Sequence, residues 1–268
     1  VNVLKRIFGV AKPLIAMCHL QALPGRPRHD AQAGMQGVYE ALRRDVLALQ
    51  QAGVDGLLFC NEHDLPYSVS VGVEVAVAQA AVIGRLRAEL TAPFGVDLLW
   101  DPQAALAVAR ATGAVFVREV FTGVFETDMG LLAPDFGKLS GYRHAIAADD
   151  VAIFTNITPE FSRSVSGRSV ADRARGAAFL GADALLISGP QAGAHIDLDE
   201  LRAAREAAGE VPVLANTGVT HENVAEILAI ADGAIVGTGL KVDGCTWNPV
   251  DPERARRMVQ LVRSVRGR

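Results

Sequence analysis

Short, almost continuously apolar runs recur along the chain. They span Leu14 to Leu20, Gly56 to Cys60, Gly95 to Trp100, Val115 to Val120, Val151 to Ile157, Ala184 to Ser188, Val211 to Thr217 and Ala234 to Thr238. Runs of this length without polar alternation suit parallel strands covered on both faces. Between them apolar residues return every three or four positions, as in "YEALRRDVLALQQAG" and "VEVAVAQAAVIGRLRAEL", which predicts helices. "PQAALAVARATGA" places a proline in a first helical turn, and "THENVAEILAIADG" offers Thr220 as an N-cap with Asn223 three positions on. "QAGVDGLLF", "ATGAVFVRE", "LGADALLIS" and "AIADGAIVG" repeat one device, a helix stop at glycine or aspartate followed at once by a strand. Eight such βα units in succession predict a closed (β/α)8 TIM barrel, with the last strand beside the first. No linker, charge block or low-complexity tract interrupts residues 1–268, so a single domain is expected.

Composition narrows the function classes. Half of the 268 residues are hydrophobic and 21% are charged, enough for a large core, and the formal net charge of -4 gives no electrostatic case for nucleic acid. The three cysteines, Cys18, Cys60 and Cys245, form no CxxC pair, which suits a reducing compartment. With no signal-peptide pattern and no apolar stretch of about 20 residues, the chain is expected to be cytoplasmic and without membrane insertion. A homo-oligomer is left open.

In a barrel of this kind the chemistry gathers where strands end. Those ends carry His19, then Cys60 to Tyr67, then Asp97, Trp100 and Asp101. Arg118 and Glu119, Asn156, Ser188, Asn216 and Thr217 follow, and last Thr238 and Lys241. The opposite end carries almost no such groups, so function is expected on one rim. "NTGV" and "GTGLK" follow the seventh and eighth strands, where barrels often hold phosphate. Gly218, Gly237, Thr238, Gly239 and Lys241 are therefore the candidate phosphate grip, although the glycines would equally permit tight turns. His19, Glu119 and Asp97 are the candidate catalytic groups, and Asn61, Arg118, Asn156 and Asn216 the candidate substrate-binding ones. Only one of Arg118 and Glu119 can point inward from a regular strand. No cofactor is fixed by the sequence. A divalent metal on Glu62, His63 and Asp64 with Asp97 or Asp101 is the lesser reading, because adjacent strand residues face opposite ways. The segment Phe121 to Gly137 is long for a βα loop and is expected to be a mobile lid, or else an ordered flap for a dimer contact.

"HLQALPGRPR", "NEHDLPY", "LLWDP", "FVREVFTG", "LANTGV" and "ADGAIVGTGLKVDG" together resemble the BtpA/SgcQ proteins over almost the full length, and the second and fourth forms look closer to the SgcQ branch. The resemblance implies a barrel of the ribulose-phosphate-binding type and a small phosphorylated metabolite as partner. Isomerisation, epimerisation or carbon–carbon cleavage of a sugar phosphate is the class of reaction expected. BtpA-like members tend to have an acidic residue where Cys60 stands, so chemistry resting on that carboxylate does not carry over. The BtpA name implies the rival reading, a non-catalytic assembly or stability factor for a photosystem complex.

Overall fold

The computed structural model describes residues 2–267. In chain order its strands are β1 (Leu14–His19), β2 (Gly56–Cys60), β3 (Phe94–Asp97), β4 (Phe116–Glu119), β5 (Phe125–Thr127), β6 (Gly130–Leu132), β7 (Ala152–Asn156), β8 (Ser162–Ser164), β9 (Ala184–Ile187), β10 (Val213–Ala215) and β11 (Gly233–Val236). The helices are α1 (Val3–Phe8), α2 (Gly34–Ala52), α3 (Val73–Leu86), α4 (Pro102–Thr112), α5 (Phe136–Ala145), α6 (Val170–Phe179), α7 (Leu198–Ala207), α8 (Val224–Ile230) and α9 (Pro252–Arg266). Eight parallel strands close in the order β1-β11-β10-β9-β7-β4-β3-β2. The first and last meet as expected, Leu14 opposite Ala234 and Ala16 opposite Val236.

Seven of the eight strands stop one or more residues earlier than their apolar runs, because the chain bends into loops at the functional rim. At Trp100 the backbone has turned to φ 70, outside any strand geometry. At the other end an aspartate device recurs. Asp55, Asp183 and Asp232 each donate a backbone N–H to the neighbouring strand and accept that strand's N–H on the side chain, from Leu14, Ile153 and Val213 at 2.7–2.9 Å. These are the aspartates of the repeated helix-to-strand phrases, and they complete backbone pairing where each strand begins.

The barrel interior is closed from below by α1. Phe8 packs edge-on against Phe116, ring centres 5.6 Å apart, and Phe116 stacks on Phe154 at 4.7 Å. Glycine is obligatory beside this aromatic stack: a Cβ on Gly56 would lie 2.4 Å from Phe8, and one on Gly95 2.3 Å from Phe116. The outer layer of Val, Leu and Ala side chains is buried between strands and helices.

In the segment Phe121 to Gly137, expected as a mobile lid or else an ordered flap, β5 pairs with β6 and with the distant β8 in a three-stranded antiparallel sheet, and Gly137 lies in α5. Phe121 and Phe125 are buried, so the segment is anchored by its own aromatic side chains. Thr220 forms the expected cap one turn ahead of α8: its Oγ1 accepts the Glu222 N–H at 3.2 Å, its carbonyl the Val224 N–H at 3.1 Å, and Asn223 Oδ1 accepts the Thr220 N–H at 2.7 Å.

Candidate functional site

A cavity of about 220 Å³ opens at the C-terminal ends of the strands. From the residues expected on that rim it brings together His19, Arg118, Asn216, Gly218, Gly237, Thr238 and Gly239. Inward and outward positions alternate along each strand, which sorts the rest. Arg118 is the inward member of its pair. Its Nη1 lies 2.6 Å from Asp97 Oδ2, and its Nη2 reaches Glu160 at 3.1 Å.

Several candidates stand behind the wall rather than on it. Asp97 is fully buried and serves as the counter-ion of Arg118. Glu119, placed as a catalytic acid/base, does not line the main cavity: its two oxygens accept the backbone N–H groups of Trp100 and Val120, each at 2.6 Å. Burial, with the Asp97 carboxylate nearby, holds its pKa well above the ordinary carboxylate range. Asn61 ties the loop after β2 to the one after β3, donating to Asp64 and accepting the Leu99 N–H, both at 2.9 Å. Asn156 bonds Ser188 and Glu160. Lys241 is the clearest displacement. Its ammonium is buried 3.0 Å from Asp45 Oδ2 on α2, away from the glycine loops.

The metal grouping is likewise dispersed. Glu62 lines the cavity, His63 packs edge-on against Trp247, Asp64 accepts the Leu23 N–H and Asp101 caps α4. Among the described residues no three acidic, histidine or cysteine side chains converge as a metal site. Cys60 is buried, and burial first, then the Asp97 and Glu62 carboxylates, push its thiol well above its usual range, so it is a packed residue rather than a nucleophile.

Tyr67 and Trp100 from the second and third strand ends also line the wall, and the structure adds Glu160, Thr246 and Arg254, which the strand ends alone did not single out, with Glu62 in a role other than metal ligand. Glu62 Oε1 accepts from the Tyr67 hydroxyl at 3.2 Å. Burial is the main force on its carboxyl. The Arg118 guanidinium opposes it, the Asp97 and Glu160 carboxylates add to it, and the pKa comes to about 7. His19 is driven the other way, well below its ordinary value, by burial and by the charges of Lys241, His63 and Arg118. An acid that titrates near neutrality and a neutral imidazole therefore share one cavity.

At the opposite wall three loops converge. A Cβ on Gly218 would fall 1.9 Å from the Ala194 carbonyl oxygen, at φ 70, so this glycine is required by packing as well as by conformation. Gly237 is tight against His19, at 3.3 Å from an added Cβ. The backbone N–H groups of Gly218, Val219, Thr238 and Gly239 meet no acceptor among the described residues. Thr238 Oγ1 lies 2.7 Å from Thr246 Oγ1, and Arg254 holds the Gly239 carbonyl at 3.1 Å while lining the same wall. Arg254, from α9, is thus a cation on this wall, where Lys241 is not.

A model of the BtpA family matches residues 10–264. The sgc region protein SgcQ of Escherichia coli K12 is 42% identical over 264 residues, 98% of either chain. The photosystem I biogenesis protein BtpA of Synechocystis is 30% identical, covering 95% of this chain and 89% of its own. In fold the chain is similar to the N-acetylmannosamine-6-phosphate 2-epimerase of Clostridium perfringens, with a TM-score of 0.58, 15% identity, and 89% and 90% of the two chains covered. It is also similar to the thiamine phosphate pyrophosphorylase of Pyrococcus furiosus, with a TM-score of 0.58, 17% identity, and coverage of 94% and 96%.

Proposed function

The chain belongs to the BtpA family, and on that footing we propose that it is an enzyme acting by proton transfer on a small phosphorylated metabolite, a sugar phosphate by preference. The observation that carries this reading is the Glu62 carboxyl, set to titrate at about 7 on a cavity wall shared with a neutral His19. A general base works best with its pKa near the working pH, and a neutral imidazole can polarise or protonate a carbonyl oxygen. Isomerisation, epimerisation and carbon–carbon cleavage beside a carbonyl each need an acid/base pair, which these two groups can supply. Glu62 replaces Glu119 as acid/base, with His19 retained.

We assign the phosphate end to Gly218, Gly237, Thr238 and Gly239, which line the cavity beside Arg254; the N–H groups of Gly218, Thr238 and Gly239 meet no acceptor among the described residues, and Thr238 adds a hydroxyl. Fold neighbours whose names specify phosphorylated substrates agree with that class. The photosystem relative favours a second reading, a non-catalytic assembly factor.

Thermal-shift titration with inorganic phosphate and a panel of pentose and hexose phosphates, with and without magnesium, separates the two. The enzyme reading expects saturable stabilisation, and product formation that Glu62→Gln slows by about 10²- to 10⁴-fold while binding persists. Stabilisation by no phosphorylated compound, with Glu62→Gln fully functional in vivo, leaves the assembly reading.

A further inference from the structure

Four side chains from three strand ends converge on a carboxylate that proton transfer does not use. Glu160 lies in the loop between β7 and β8. Its Oε1 accepts from Arg118 Nη2 at 3.1 Å and from Asn216 Nδ2 at 3.4 Å, and the Thr217 hydroxyl closes on the same oxygen. Its Oε2 accepts from Arg118 Nη2 and from Asn156 Nδ2, each at 3.2 Å. Arg118 does not need this partner, because the fully buried Asp97 already neutralises it at 2.6 Å. Glu160 is therefore a surplus negative charge, and it raises the cost of ionising both Glu62 and Asp97.

The loop that presents it is bent. Phe161 holds φ 53, a conformation that bulky side chains rarely adopt, and is pinned by its N–H to the Pro190 carbonyl at 2.9 Å. Both Glu160 and Phe161 form part of the cavity wall. A side chain that carries surplus charge, sits on a strained loop and accepts from four side chains at one end of a cavity behaves as an occupant of that end.

We propose that Glu160 is a stand-in for a substrate oxyanion: Arg118, Asn156, Asn216 and Thr217 form a second anion subsite, for the paired oxygens of a carboxylate, and Glu160 leaves it when substrate enters. The proposal rests on reading the cavity as a substrate site, and it deepens that reading. With phosphate held at the glycine loops and a carboxylate at Arg118, the substrate class becomes a phosphorylated sugar acid. Exchange of one carboxylate for another leaves the charge count unchanged, so no new counter-ion is required. Donors arriving from different strands on both oxygens are the arrangement that recognises carboxylates.

The test first needs no phosphorylated ligand. Glu160→Ala removes the side-chain carboxyl and leaves room for acetate, which restores it. Acetate is expected to raise the Tm of this variant saturably, at about tenfold lower concentration than chloride, as charge-assisted hydrogen bonding provides. The native protein is expected to respond to neither salt. Should the alanine variant aggregate, Glu160→Ser vacates the same volume, and recovery of its folding by acetate but not chloride counts in favour. Acetate acting no differently from chloride on a folded variant overturns the subsite.

Exchange by substrate is read with 3-phosphoglycerate and glycerol 3-phosphate, which differ in the carboxylate alone. Glu160→Ala is expected to bind the acid at least about tenfold more tightly than the native protein, with the alcohol unchanged. Equal changes for the two esters overturn the exchange. Failure of inorganic phosphate to bind either protein sinks the phosphate grip instead, and the acetate result still decides the subsite.

Discussion

Glu62 is where a single residue ties stability to chemistry. Its folded pKa is raised from 4.5 to about 7, so between these values the folded protein holds a proton that the unfolded chain releases. Stability contributed by that proton is full below about pH 4.5 and is lost as pH rises through about 7. Glu62→Gln removes the dependence. The variant is expected to match the native protein near pH 4 and to exceed it near pH 8 by about 2 kcal/mol, less than the full shift implies because the carboxyl borders an open cavity. Urea unfolding at the two pH values checks this; an equal difference at both would place the Glu62 pKa in the ordinary range. Turnover should fall about 10²- to 10⁴-fold in the same variant. Thr238→Val tests the other wall. It deletes one hydroxyl of the Thr238–Thr246 pair with little change of shape. Affinity for inorganic phosphate should drop about ten- to a hundredfold, since a hydrogen bond to a charged group is worth about 1.5–3 kcal/mol. Unchanged affinity would leave these glycine loops as turns only.

At the scale of elements, Lys241 shows why strand-end reading works only in part. The sequence places it three residues beyond Thr238, but the intervening 3-10 turn, Thr238–Leu240, swings the side chain outward to α2. There it pairs with Asp45, whose other oxygen accepts the Val250 N–H at 3.1 Å, so one buried ion pair joins α2 to the segment before α9. Lys241→Met strands a buried carboxylate and is expected to cost about 3–5 kcal/mol, and adding Asp45→Asn, which keeps an acceptor for Val250, should recover most of it. Equal instability of the single and double variants in urea would mean that the pair is not the source. The helix-to-strand phrases were legible because glycine stops, aspartates and apolar runs are local, and local features survive in sequence. Glu160 was not, because its role depends on where a loop of "ITPE" crosses the barrel mouth. The sheet of β5, β6 and β8 was missed for the same reason: Thr127 and Ser162 pair across 35 residues, and neither run has enough alternation to announce a strand.

The whole molecule divides its labour between its two ends. At the closed end α1 covers the barrel floor with Leu4 and Phe8, and three aspartates complete the strand pairing. The open end carries the cavity, the surplus carboxylates and the strained loops. The sequence showed the division, since nearly all chemistry-bearing residues fall at strand C-termini, but not the plug, because one apolar turn near the start of a chain has no periodicity to read. In barrels of this kind residues at the floor serve stability and those at the rim serve function. Phe8 and Thr238 are therefore expected to separate cleanly. Phe8→Ala opens a void beneath Phe116 and should lower stability by about 3–5 kcal/mol. Phosphate affinity at a temperature where the variant is fully folded should stay as it was. Thr238→Val should do the reverse, weakening phosphate while leaving the unfolding free energy in urea within about 0.5 kcal/mol of the native value. Because the two sites share no partner, the double variant should show both losses added without coupling. A Phe8→Ala protein that is folded yet weakened toward phosphate would mean that the floor sets the geometry of the rim, and the separation of the two ends would fail.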